Sequence, residues 1–86
     1  MKVVAEFTIE PFVEGAPGAH VHAGLEAVRA AGFEPEIDAF GSTVTGELAS
    51  VAPAVDRLIA AALEAGASQV SLQVRRVKDH TVAPAR

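Results

Sequence analysis

Residues 34–48 read Glu34-Pro35-Glu36-Ile37-Asp38-Ala39-Phe40-Gly41-Ser42-Thr43-Val44-Thr45-Gly46-Glu47-Leu48, and the fold turns on how they divide. Ile37 and Ala39 alternate with Glu36 and Asp38, the period of two that marks a half-buried strand over 34–39. Ser42 to Leu48 alternates again, with Val44 and Leu48 on one face and Thr43, Thr45 and Glu47 on the other. Only Phe40-Gly41 separates the two runs, and a two-residue hairpin turn fits because glycine accepts positive φ. Two strands therefore follow one another directly in the middle of the chain.

Upstream, Val3, Ala5, Phe7 and Ile9 alternate with Val4, Glu6, Thr8 and Glu10, which makes 3–10 a strand. Pro11 and the segment 14–18 break it. From Ala19 the spacing becomes helical: Val21, Leu25 and Val28 form an apolar stripe, and Gly32 suits the residue just past the helix end. Downstream, Ser50 is a candidate helix cap, with Pro53 in the first turn. Val51, Val55, Leu58, Ile59, Ala62 and Leu63 supply the stripe, and Gly66 closes it. Val70, Leu72 and Val74 alternate with Ser71, Gln73 and Arg75 in a last strand. The order strand, helix, strand, strand, helix, strand is that of the ferredoxin-like split βαβ. This α+β fold has a four-stranded antiparallel sheet with two helices on one face. One domain is expected over 1–77, with a flexible tail over 78–86.

The 86 residues leave no room for a second domain, and a chain that is 50% hydrophobic and 21% charged is globular in composition. The absence of cysteine excludes disulfides, thiolate metal sites, iron–sulfur clusters and copper-chaperone chemistry. Seven basic against eleven acidic residues give a net charge of −4, a poor match for nucleic acid or anionic lipid. There is no Trp or Tyr, and four Phe make no base-stacking platform. No signal peptide and no membrane-spanning run is visible, which points to a cytoplasmic protein.

The second sheet face carries the polar residues and is either solvated or used for binding. With Phe40-Gly41 as the turn, Asp38 lies opposite Thr43, their Cβ atoms about 4.5–5.5 Å apart. A four-residue loop would keep that facing and shift the partners. Glu6, Thr8 and Glu10 bring further oxygens, a set suited to a cationic or amine-bearing small molecule. His20 and His22 are about 200° apart on a helix and share no ligand face; before the helix they could converge, with His80 or Glu14 joining, but the spacing matches no metal signature and no metal is expected. The 15–18 segment could form an anion nest, without the Lys-Ser/Thr of a phosphate loop. Arg75, Arg76 and Lys78 end the last strand as a short basic run, and His80 lies in the tail. No residue set demands catalysis. Acylphosphatase chemistry is disfavoured, with no Asn in the chain and no Arg near the first loop.

Glu6-Phe7-Thr8-Ile9-Glu10-Pro11, Ile37-Asp38-Ala39-Phe40-Gly41-Ser42-Thr43-Val44-Thr45-Gly46 and Ala62-Leu63-Glu64-Ala65-Gly66-Ala67 resemble the thiamine-binding family of the YkoF and MTH1187 type. The resemblance runs over about 2–77, and the hairpin segment carries most of its specificity. It implies a ferredoxin-like scaffold whose open sheet faces pack into dimers or tetramers. It also implies a non-enzymatic role, with thiamine or its hydroxymethylpyrimidine moiety as the ligand. On the matching positions it implies Asp38, Ser42 and Thr43 as ligand contacts, with Glu10 at the end of the first strand. Alternation points Ser42 towards the helix side. Two departures stand out: the chain holds one domain where the best-understood members are tandem, and it has few aromatic residues to sandwich a pyrimidine. The other reading is an ACT-like regulatory or oligomerisation module that binds another metabolite or only itself.

Overall fold

The computed structural model describes residues 1–11, 18–38 and 41–77. Its elements are β1 (Lys2–Glu10), α1 (Ala19–Ala30), β2 (Glu36–Asp38), β3 (Gly41–Glu47), α2 (Leu48–Glu64) and β4 (Gln69–Arg76). The strands form one sheet in the order β2-β3-β1-β4, every neighbouring pair antiparallel. This is the ferredoxin-like α+β architecture, with β1 and β3 central.

The alternation in β1 explains the layering. Val3, Ala5, Phe7 and Ile9 are buried and meet Val21, Leu25 and Val28 of α1 and Val51, Leu58 and Ala62 of α2 in one core. Burying a Val-, Leu- or Phe-sized side chain contributes about 1.5–3 kcal/mol, so this single face carries most of the driving force. The opposite face of β1 holds Glu6, Thr8 and Glu10. Val4 shares that face, paired with Thr45 and Arg75, and is only 9% exposed.

Both helices end at the expected glycines, Gly32 and Gly66. The start of α2 differs from expectation. It begins at Leu48, not after Ser50, and Glu47 at its cap makes no side-chain capping bond. The Leu48 N–H, one of the free donors of the first turn, donates to the Met1 carbonyl at 2.8 Å, so the chain end beside β1 anchors the helix start in place of a side-chain cap. Pro53 accordingly lies inside the helix, on its exposed side. Along the stripe Ala54 is buried, whereas Leu63 is 46% exposed because it lies past the edge of the covered face. The segments 12–17, 39–40 and 78–86, which include Phe12, Phe40, most of the candidate anion nest, Lys78, His80 and the expected tail, lie outside the described residues.

Candidate functional site

The hairpin that sets the site has a different register from the one expected. Asp38 pairs with Gly41, Ile37 with Ser42 and Glu36 with Thr43. Asp38 is therefore not opposite Thr43; Glu36 is. The reason lies in Gly41, which belongs to β3 and not to the turn. Its φ is 145°, and a Cβ there would lie 2.7 Å from the Phe7 carbonyl oxygen and 3.0 Å from Thr8 Cγ2. Glycine is needed where β3 closes on β1, and Gly41 accordingly pairs within the sheet; residues 39–40 lie outside the described residues. A shift of two residues keeps every side chain on its face. Asp38 and Thr43 remain on the open face, and Ser42 lies in the row of Ile37 and Phe7 on the helix side.

Gly41, between Asp38 and Thr8, lines two cavities. One, of about 310 Å³, lies between α1 and the sheet, with Phe7, Ile9, Val21, Leu25 and Ile37 as apolar walls and Glu10, Asp38 and Ser42 as polar neighbours. The other, of about 290 Å³, lies on the open face and is lined by Glu6, Asp38, Ser42, Thr43, Ser71 and Gln73 among others. Asp38 and Ser42 thus border both, Glu10 only the first and Thr43 only the second. Volumes near 300 Å³ are at the small end for ligand sites and suit a single-ring compound.

Glu10 is held by its neighbours. One carboxylate oxygen, Oε2, accepts from Ser71 Oγ at 2.9 Å, Thr8 Oγ1 at 3.3 Å and Gln69 Nε2 at 3.4 Å. The pairing of Thr8 with Ser71 and of Glu10 with Gln69 across β1 and β4 brings these donors together. One row along, Glu6 meets Arg75 at 3.5 Å on the exposed sheet surface. Sequence reasoning missed the apolar wall of the first cavity. Ile37 was legible as helix-facing, but its 56% exposure follows from β2 being a three-residue edge strand. Ser71 and Gln73 join the site only through the β1–β4 register, which no local pattern reveals.

His20 lies in the first turn of α1 and its Nε2 is bonded to the Pro11 carbonyl. A carbonyl only accepts, so Nε2 carries the hydrogen. His22 is exposed. Among the described residues no three His, Cys, Asp or Glu side chains cluster as a metal site, and no helix is long and apolar enough to cross a membrane.

Comparison with known proteins gives this geometry a context. No curated protein matches the chain. Among solved structures, a hypothetical protein from Methanocaldococcus jannascii is 28% identical with a TM-score of 0.66, over 91% of this chain and 82% of that one. A domain of unknown function, DUF77, from Bacillus cereus is 27% identical with a TM-score of 0.63, over 86% and 72%. A Thermotoga maritima protein, whose description proposes a part in thiamine biosynthesis or salvage, is 26% identical with a TM-score of 0.62, over 87% and 81%. The family model described as thiamine-binding protein matches residues 5–82. With nearly its whole length matched, the chain belongs to the thiamine-binding protein family.

Proposed function

We propose that the protein is a non-enzymatic binding protein for thiamine or its hydroxymethylpyrimidine moiety, working in the cytoplasm as a homo-oligomer. The observation that carries this reading is the 310 Å³ cavity, with apolar walls and Asp38 and Ser42 at its border, in a chain of this family. An aminopyrimidine presents apolar ring faces and an exocyclic amine. The walls would bury the ring at about 25 cal/mol per Å². The Asp38 carboxylate would accept from the amine, and the Ser42 hydroxyl donates or accepts as the ring nitrogens require. Thr43 and Glu10, both on the open face, complete the proposed set.

A thermal-shift titration with thiamine and hydroxymethylpyrimidine tests the reading. Ligand at one hundred times its dissociation constant should add about 2.7 kcal/mol of stability. Asp38→Ala should weaken binding by about 1.5–3 kcal/mol, the range for a hydrogen bond to a charged group. Unchanged affinity in that variant removes Asp38 from the site. No shift with millimolar ligand favours the ACT-like self-associating module.

A further inference from the structure

We infer that the site, on the binding reading above, selects unphosphorylated ligands and rejects their phosphate esters. Charge sets this selectivity. The described side chains lining the two cavities include Glu6, Glu10 and Asp38 and no Lys, Arg or His. Proteins hold phosphoryl groups with Arg or Lys, or with free N–H groups at a helix start. Lys2, Arg29, Arg57, Arg75 and Arg76, the basic Lys and Arg residues among those described, all lie outside both linings. Arg29 is engaged by Glu26 at 3.0 Å and Glu34 at 3.3 Å, and Arg75 by Glu6. The connecting sequences 12–17 and 39–40 contain Glu14 and no basic residue.

One feature has the opposite sign. The start of α1 adjoins the first cavity through Val21, and a helix N-terminus is equivalent to about half a positive charge. Glu10 alone outweighs it. Ser71, Thr8 and Gln69 are neutral donors that fix its carboxylate without cancelling the charge. A phosphate monoester would add about −1.5 to −2 at neutral pH. The cationic or neutral parent compound meets no such repulsion.

Isothermal titration of the full chain with thiamine, thiamine monophosphate and thiamine diphosphate tests this, with hydroxymethylpyrimidine and its monophosphate as a second pair. The esters should bind at least tenfold more weakly than their parents. That gap should narrow between about 0.1 M and about 1 M salt, where the screening length falls from about 10 to about 3 Å. Glu10→Gln, checked for folding by circular dichroism, should narrow the gap about threefold at low salt, and Glu6→Gln serves as a second neutralising variant. Esters bound as tightly as their parents overturn the inference and leave the binding reading standing. If neither parent compound binds, the binding reading itself fails and takes the inference with it. A gap that neither variant changes overturns the electrostatic cause.

Discussion

Gly24 sits in the middle of α1, where glycine costs about 1 kcal/mol of helix stability relative to alanine. Propensity alone predicts that Gly24→Ala stabilises the protein. The packing predicts the reverse, because a Cβ at this position would run into Ile9 Cδ1 and lie 2.9 Å from Leu58 Cδ1. Both are buried core side chains, and Leu58, at 0% exposure, is enclosed on every side. Overpacking costs about 1–3 kcal/mol, so the expected net effect is destabilisation by up to about 2 kcal/mol. A urea midpoint that rises in this variant would show that the core yields more easily than its burial suggests. Gly41 illustrates the same logic at the site: the residue read as a turn former is in fact the close contact between β3 and β1. A sequence marks that a glycine is present; only the neighbouring backbone shows which constraint it answers.

The elements differ in how far they could be read in advance. α1 and β1 were legible nearly to the residue, because each has a strong period and a clear stop. β2 was legible in its facing and not in its pairing, since alternation determines which side a residue takes while the turn determines its partner. Alternation therefore places Asp38, Ser42 and Thr43 on their faces, while the partner of Asp38 is Gly41 and not Thr43. The two walls of the first cavity, β1 and α1, are tied at one end by the bond from His20 to the Pro11 carbonyl. This tie holds the end of β1, with Glu10, against the helix turn that carries Val21. His20→Ala should therefore weaken ligand binding about fivefold, the effect of one neutral hydrogen bond, with little change in melting temperature. His20→Gln, which retains a donor of similar reach, should recover part of the loss. A parallel fall in melting temperature and affinity would instead mark the histidine as a general brace.

At the scale of the whole molecule, helices cover one face of the sheet and the described residues leave the other bare. Val4 and Thr45 lie at its centre, with the acidic residues Glu6, Glu10, Glu36 and Asp38 towards one end, and Lys2, Arg75 and the Met1 amino group, against the single carboxylate of Glu47, towards the other. Two copies stacked face to face in opposite directions would set unlike charges together, which supports the proposed dimer or tetramer. Sedimentation velocity should give a mass of two or four chains, and Thr45→Lys, a change on an exposed site outside both cavities, should reduce it to one without unfolding. A wild-type monomer would refute the oligomer. The architecture was legible because six elements in this order have few ways to pack; the β1–β4 register was not, since it joins residues from opposite ends of the chain. That register also governs how the protein is made. β1 leaves the ribosome before the other strands, yet Val3 finds Arg76, and Glu10 finds Gln69, only after β4 has been synthesised. The central strand must wait, with one edge unpaired, until β4 has been made. Closing so long a loop slows folding more than it lowers stability. The nascent chain is thus most open to aggregation or chaperone capture along Val3–Ile9, the stretch that becomes the best protected once folding is complete.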